Sequence, residues 1–482
     1  MKVKELLINI PYTIMRGSDE IDIHSIAWDS RRVKSNALFV CVKNRNIDRH
    51  DYACAAVNAG AIALVVEHEV QNIPENITII KVQNTKVVVA SIANTYYNEP
   101  SKKFNLIGVT GTNGKTSVAI FISKILEGLG RKVGVIGTIE NRIGNKTLKT
   151  QKKNPTTPDA IELQESFNEM IELGVEDVVM EVSSSALNNY RVYKCDFDIG
   201  IFTNLTQDHL EEHGTMENYK NAKIKLFKMC RLGIINYDDK VSWDIKQNAK
   251  CDIITYGIHN SCDFKARDIC YSLEGVNFIL DFHGVLKKVR LKIPGKFSVY
   301  NALAAIAACY FLCIPLDIII EEISNITGVA GRFQVVPNNK DYLTIVDYAH
   351  TPDALKNVLS TARELTKNRI ILVFGCGGNR DKTKRPIMGE MGGEFADMCF
   401  ITSDNPRNEN PTGIINDIEV GIKKTNCIYE KIQDRKQAIY AALNTARTGD
   451  IVIIAGKGHE NYQIVGEKLI HFDDAEIVKS FK

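Results

Sequence analysis

The chain has 482 residues, enough for roughly three domains at about 150 residues each. Sixty basic residues against 58 acidic ones leave a net charge of +2, so no bulk field is available to hold nucleic acid or an anionic membrane. With 24% charged and 44% hydrophobic residues, 32 Gly and 12 Pro, the composition excludes a disordered, collagen-like or disulfide-scaffold chain.

The N-terminal MKVKELLINIPYTIM carries Glu5 and lacks a small-residue cleavage site, so it is not expected to be a signal peptide. Strand-like Ala37–Val42, helical Asp51–Gly60 and strand-like Ala61–Glu67 predict a small α/β unit in the first hundred residues. Polar Asn98–Lys103 is read as a linker. A second block opens with the buried-strand run Leu106–Thr110, a glycine turn and an amphipathic helix from about Ser117. Three further strands are expected at Val133–Gly137, Asp177–Val182 and Ile199–Asn204. Such short apolar strands between helical patterns argue for a mostly parallel sheet covered on both faces. The uncharged stretch Ala302–Leu316 falls short of the roughly 18–20 apolar residues that span a bilayer, so no membrane insertion is expected. A weaker join lies around Gly328–Arg332. Beyond it, Thr344–His350, Ile371–Gly378, Met398–Arg407 and Ile451–Glu460 are apolar runs that each end in polar residues and glycines. Open parallel sheets bind ligands beyond the carboxyl ends of their strands, so both later blocks read as ligand-binding sheets facing a cleft.

The twelve cysteines contain no C-x-x-C pair. Cys309 and Cys313, four apart in an Ala-rich run, are expected on one face of a buried helix. Cys376, inside a glycine loop, reads as a space-filler rather than a nucleophile. All twelve suit a reducing cytosol.

The sharpest local signal is Gly108-Val-Thr-Gly111-Thr112-Asn113-Gly114-Lys115-Thr116. Glycines let backbone N–H groups turn around phosphate oxygens, and the helix start adds its positive dipole end. Lys115 can reach the β- and γ-phosphates of a nucleoside triphosphate, and the Thr116 hydroxyl can ligate Mg²⁺. The strict P-loop pattern would place glycine at Val109, so this is a variant. Glu181, at the end of a strand, can hold Mg²⁺ or its waters. His209 and His213 make H-x-x-x-H without the intervening Glu of a zinc helix, and no zinc site is expected. Lys223, read alone, is a solvated helix lysine.

Taken together, these residues resemble the Mur ligase family of ATP-dependent amide-bond synthetases, most closely its diaminopimelate-adding type. The carrying stretches are TGTNGKT, NPTTPD (Asn154–Asp159), EVSSSAL (Glu181–Leu187), TNLTQDHLEEHG (Thr203–Gly214), AKIKLF (Ala222–Phe227) and GKFSVYNALAA (Gly295–Ala305). GRFQ (Gly331–Gln334), DYAHTPDAL (Asp347–Leu355), GCGGNRDKTKRP (Gly375–Pro386), DNPR (Asp404–Arg407) and GKGHE (Gly456–Glu460) complete an ordered set over residues 28–463. The resemblance implies an α/β chain of three domains. These are a smaller UDP-sugar domain at 1–103, a central P-loop ATPase sheet at 104–330, and a Rossmann-like amino-acid domain at 331–482. It implies that a UDP-MurNAc-L-Ala-D-Glu carboxylate is phosphorylated by ATP and then attacked by the amine of meso-diaminopimelate.

Carried over by position, Gly111, Thr112, Asn113, Gly114, Lys115, Thr116, Ser117, Asn301, Arg332, Asp347 and His350 serve ATP. Thr116, Glu181, His209 and Lys223 serve Mg²⁺, Lys223 as a carbamate; Lys115, Lys223, His209 and Glu181 form the catalytic set. Ser30, Thr156, Thr157, Ser183, Asn189 and Arg191 match the UDP-sugar contacts. Asn189 stands where some relatives carry Gln, and Asn36, Asn44 and Arg49 occupy glycine-like turn positions. Arg380, Asp404, Asn405, Pro406, Arg407, Gly456 and Glu460 match the diaminopimelate site. Arg407 would bind the second carboxylate bidentately, and Glu460 the distal ammonium. A cytoplasmic monomer is the expected form. The alternatives weighed are a sister ligase such as a folylpolyglutamate synthetase, and a P-loop regulatory ATPase or motor.

Overall fold

The computed structural model describes residues 1–44, 47–150, 154–272, 274–338 and 340–481. Contact density divides them into two units. The first comprises residues 1–111, 122–205 and 209–255, and the second residues 112–121, 206–208 and 256–482.

In the first unit, β-branched runs form β1 (Thr13–Arg16), β2 (Ser25–Ala27), β3 (Ala37–Val40), β4 (Ala61–Val66) and β5 (Thr78–Lys81). They order as β1-β5-β4-β3-β2, parallel except for the β1–β5 edge. Alternation along the pleat sends Leu38, Val40, Ala63, Val65 and Ile80 into one core and Phe39, Leu64, Val66 and Ile79 into another. This sheet is therefore buried on both faces. The expected linker is packed: Pro100–Lys102 is a single 3₁₀ turn, with Pro100 and Ser101 buried.

The same unit contains β6 (Asn105–Thr110), β7 (Val133–Ile136), β8 (Asn141–Ile143), β9 (Lys146–Thr147), β10 (Asp177–Glu181), β11 (Phe197–Phe202) and β12 (Cys230–Asn236). The order β12-β11-β6-β10-β7 is parallel, and β8 and β9 add an antiparallel edge. All four strand runs read from this part of the sequence are present.

β13 (Asp252–Gly257) leads into the second unit, where β14 (Phe264–Ser272), β15 (Gly275–Phe282) and β16 (Val285–Leu291) form an antiparallel meander. The sequence reading had no account of this ribbon. Cys309 is buried in the helix Lys296–Phe311, but Cys313 lies past its end at φ 63 and is exposed. The helix stops at Leu312 because the chain turns left-handed before Pro315, so the two thiols do not share a helix face.

The C-terminal sheet comprises β17 (Gln334–Val335), β18 (Leu343–Asp347), β19 (Ile370–Phe374), β20 (Met398–Ile401), β21 (Ile428–Lys431) and β22 (Ile451–Ala455), followed by the hairpin β23 (Tyr462–Val465) and β24 (Lys468–His471). Its order is β17-β18-β22-β19-β20-β21, parallel except for β17. Ile345, Leu372, Ile401 and Ile453 face one core, and Val346, Val373, Phe400 and Ile454 the other. This order brings the ends of β18, β22, β19 and β20 side by side, although up to about a hundred residues separate them in sequence.

Candidate active site

The phosphate loop follows β6 and starts the helix Lys115–Gly128. Gly111 takes φ 151, and a Cβ there would overlap the Thr203 hydroxyl, which explains the glycine. Thr112 and Thr206 bond reciprocally: the Thr112 hydroxyl donates to Thr206 O at 3.2 Å and accepts from Thr206 N at 3.0 Å. Lys115 Nζ donates to Thr112 O at 2.8 Å, folding its ammonium over the loop. Thr116 and Ser117 are buried. Arg332 Nη2 donates to Thr116 Oγ1 at 3.3 Å, with its guanidinium 4.7 Å from the Tyr348 ring centroid. Asp353, at the start of the helix Pro352–Leu365, accepts from Thr206 Oγ1 at 2.7 Å and from Asn113 Nδ2 at 3.4 Å. Asp347 is buried and accepts from Phe333 N at 2.6 Å and Ala349 N at 2.8 Å. Burial nevertheless holds its carboxyl above the ordinary aspartate value. Asn301 is buried in its helix, and His350 Nδ1 lies 2.8 Å from Tyr348 O.

In the first unit, the end of β10 carries a second group. Glu181 is buried, with Oε1 accepting from Thr138 N at 2.7 Å and Oε2 from the Thr138 hydroxyl at 3.1 Å. Thr156 Oγ1 lies 3.1 Å from that hydroxyl. Thr157 Oγ1 donates to Glu181 O at 2.8 Å and accepts from Ser183 N at 3.0 Å, while Ser183 caps the helix Ser184–Asn188. Four predicted residues, Glu181, Thr156, Thr157 and Ser183, thus meet in one hydroxyl-rich cluster.

Lys223 corrects the reading made from its residue type alone. It is buried, not solvated, because its helix packs against the loop: Nζ donates to Gly111 O at 2.8 Å and lies 4.4 Å from the Tyr219 ring centroid. His209 stands at φ 52 with its side chain half exposed, 3.7 Å from Glu211. His213 is buried beside Ser184 Oγ at 3.0 Å, and burial lowers its pKa. The two histidines therefore have different environments.

A cavity of about 820 Å³ in the first unit is lined by Trp28, Lys86, Asp159, Asn189, Arg191 and Glu211, among others. Arg191 bonds Asp159 at 3.1 Å and Thr157 O at 3.3 Å, and Lys86 Nζ donates to Asn189 Oδ1 at 3.0 Å. Of the predicted UDP-sugar residues, Asn189 and Arg191 line this cavity; Ser30, Thr156, Thr157 and Ser183 do not. Asn36 takes φ 56, as its glycine-like position requires, whereas Arg49 lies in a 3₁₀ turn with its guanidinium 4.0 Å over Trp28.

At the ends of β20 and β22, Asp404, Asn405 and Lys457 are buried. Arg407 Nη1 donates to Gly378 O at 2.8 Å, while its backbone is pinned by Ile464 O at 3.0 Å and Gly466 N at 2.8 Å. Asn405 Nδ2 donates to Glu460 Oε2 at 2.9 Å. A Cβ on Gly456 would come within 2.7 Å of Asp404 Oδ2. Arg380 is exposed on the neighbouring loop. Buried Arg385 bonds Glu409 at 3.0 Å and Asp417 at 2.9 Å, and Glu409 also accepts from Asn379 N, so this network ties the loop to the DNPR segment. Cys376 is buried and its thiol is pushed up to about 12, consistent with a space-filler. Sequence reasoning missed Thr138, Lys86, Arg385 and Lys457. Lys457 and Arg385 had a visible signal, their places inside GKGHE and GCGGNRDKTKRP.

Three family descriptions match the chain: Mur ligase family, catalytic domain (residues 22–101), Mur ligase middle domain (109–309) and Mur ligase, glutamate ligase domain (331–458). The UDP-N-acetylmuramoyl-L-alanyl-D-glutamate–2,6-diaminopimelate ligase 2 of Clostridium acetobutylicum is 47% identical over 478 residues, 99% of each chain. The chain belongs to the Mur ligase family. The Clostridioides difficile ligase named for the same reaction is 46% identical, covering 99% of this chain and 98% of its own. A solved structure described as UDP-N-acetylmuramoyl-L-alanyl-D-glutamate–2,6-diaminopimelate ligase matches 99% of this chain and 98% of its own, with TM-score 0.71 and 33% identity. A MurF ligase of Thermotoga maritima in complex with ADP shares the fold over 90% of this chain and 94% of its own, at TM-score 0.63 and 20% identity. Mur ligases are ATP-dependent peptide ligases, and this chain is one of them.

Proposed function

We propose that this enzyme adds meso-2,6-diaminopimelate to UDP-N-acetylmuramoyl-L-alanyl-D-glutamate in peptidoglycan precursor synthesis, through an acyl phosphate. The observation that carries the reading is that the segments after β20 and β22 bring an arginine and a glutamate to one end of the sheet, with Asn405, two residues before Arg407, bonded to Glu460. An amino acid with two ammonium and two carboxylate groups needs both signs of charge, and lysine would bring no carboxylate to the Nε–Nη2 edge of Arg407. A buried polar partner left unpaired costs several kcal/mol, which favours strong rejection of lysine.

A carboxylate is a poor acylating group, so transfer of the γ-phosphoryl makes its oxygen a leaving group. The diaminopimelate amine then attacks the carbonyl, and phosphate leaves. Two anions must approach, and Lys115, Arg332 and the phosphate-loop N–H groups supply the opposing charge. Arg191 and Lys86 would meet the UDP-sugar in the 820 Å³ cavity, which residues 28–89 and 159–212 line together; residues 1–103 would serve the nucleotide-sugar, 104–330 ATP and 331–482 the amino acid.

Mg²⁺ suits the donors present. The Thr116 hydroxyl and the Glu181 carboxylate are hard oxygen ligands, with Thr138 already orienting Glu181 through two bonds. His209 is the weaker fourth donor. Lys223 fits only as a carbamate, which replaces an ammonium by an oxygen anion. When bound, Mg²⁺ neutralises phosphate charge.

The twelve free cysteines favour a reducing compartment, and we assign the enzyme to the cytoplasm as a monomer. Among the described residues no helix is long and apolar enough to cross a membrane. The test is phosphate release from purified enzyme with ATP, Mg²⁺ and the UDP-MurNAc-dipeptide. Release should require meso-diaminopimelate; equal turnover with L-lysine refutes the Arg407 assignment, and release without any acceptor favours a regulatory ATPase.

A further inference from the structure

Lys457 lies between the two glycines of the turn after β22, and its side chain is fully buried. Lysine is almost never found in that state without a paired charge. Its Nζ lies 3.0 Å from Glu460 Oε2 and donates to Asn405 Oδ1 at 3.3 Å. Asn405 Oδ1 also accepts from Ile464 N at 3.0 Å, and its Nδ2 donates to the same Glu460 oxygen at 2.9 Å. Two donors on Oδ1 determine the amide's orientation, because a flip would set NH₂ against both of them. Both side-chain bonds to Glu460 end on Oε2, which makes Oε1 the oxygen turned to a ligand.

A purely structural role does not account for this ion pair. The turn is already closed by Glu460 N donating to Lys457 O at 2.9 Å. Apolar residues of similar volume often replace a whole buried ion pair at no loss of stability. We propose that Lys457 is a positioning residue of the amino-acid site. Its ammonium, with the Asn405 amide, holds Glu460 Oε2 and so aims the carboxylate at the distal ammonium of the incoming diamino acid. The inference rests on the ligase reading and names a residue that the reading leaves without a role. Two effects oppose each other. Lys457 competes with the substrate ammonium for Glu460, but without Lys457 the part-exposed carboxylate is held by Asn405 alone and swings away. The second effect dominates, because the Lys457 side chain is fully buried and its ammonium is already shared with Asn405.

The test uses the full-length enzyme and the phosphate-release assay. Lys457→Met keeps the volume and removes the charge. The KM for meso-diaminopimelate should rise roughly tenfold or more, with the KM values for ATP and the UDP-MurNAc-dipeptide within about twofold of wild type. In a Glu460→Gln background, Lys457→Met should add nothing further. A diaminopimelate KM that is unchanged or lower, equal rises in all three KM values, or full additivity with Glu460→Gln overturns the proposal. If Lys457→Met does not fold, Lys457→Gln is measured against the same criteria. A wild-type enzyme without diaminopimelate-dependent release overturns the ligase reading itself, and this proposal with it.

Discussion

Arg407→Ala separates acceptor recognition from the rest of the machinery. Both side-chain bonds of Arg407 leave from Nη1, to Gly378 O at 2.8 Å and Asn405 O at 3.5 Å, so Nε and Nη2 form the edge offered to a ligand carboxylate. Two charge-assisted bonds at about 1.5–3 kcal/mol each, discounted for non-additivity, give about 3 kcal/mol. That corresponds to roughly a hundredfold rise in the KM for diaminopimelate. The backbone should hold, because Ile464 O and Gly466 N pin it from the hairpin. Its φ of 51 strains alanine no more than arginine, since both carry a Cβ. The stability cost is then mainly the Gly378 bond, about 1 kcal/mol, or about one degree in Tm for a chain of this length. Arg407→Lys keeps the charge but loses the planar fork, and should fall between the two. The assay is phosphate release at saturating ATP and UDP-MurNAc-dipeptide with varied diaminopimelate. Equal rises in the KM for ATP and for diaminopimelate refute the placement of Arg407 in the acceptor site.

Thr138→Val removes the hydroxyl from Glu181 Oε2 but keeps the backbone N–H on Oε1. The Mg²⁺ concentration for half-maximal activity should rise roughly tenfold, and an unchanged Mg²⁺ titration refutes a metal role for Glu181. Burial would raise the Asp48 carboxyl, but bonds from His50 and His68 pull it well below the usual carboxylate range. A depressed carboxylate stabilises the fold above its unfolded pKa of about 4 and loses that contribution as pH falls below it. Asp48→Asn should therefore destabilise at pH 7, with the gap from wild type narrowing in acid; urea titrations at several pH values measure it, and a constant gap refutes it. Iodoacetamide at neutral pH should label exposed Cys54, Cys270 and Cys313 in the native protein and spare Cys376. Peptide mass spectrometry reads the outcome, and early labelling of Cys376 contradicts its burial.

Much of the architecture is legible locally. Runs such as Leu106–Thr110 and Ile451–Ala455 are too short and too β-branched for helices, and buried parallel strands produce continuous apolar runs rather than alternation. The phosphate loop is legible because glycine spacing and a following helix are consecutive in sequence. The meander Phe264–Leu291 was not, because its strands alternate exposed and buried residues weakly and carry many charges. Cys313 was misplaced because the end of a helix depends on a single left-handed residue. Lys223 shows the deepest gap: a lysine in a polar helix has no local mark of burial, and only packing against Gly111 removes it from water.

By itself the sequence determined the chemistry at the strand ends: a phosphate loop, a DNPR guanidinium and a GKGHE carboxylate, each a short contiguous motif. Only the tertiary structure decided which of these distant motifs become neighbours. The strand order β18-β22-β19-β20 sets Glu460 beside Asn405, and burial turns Lys457 from a motif letter into the counter-charge between them. The physical reason is that backbone propensity acts over a few residues, whereas desolvation and charge pairing depend on groups that meet only when the sheet has formed.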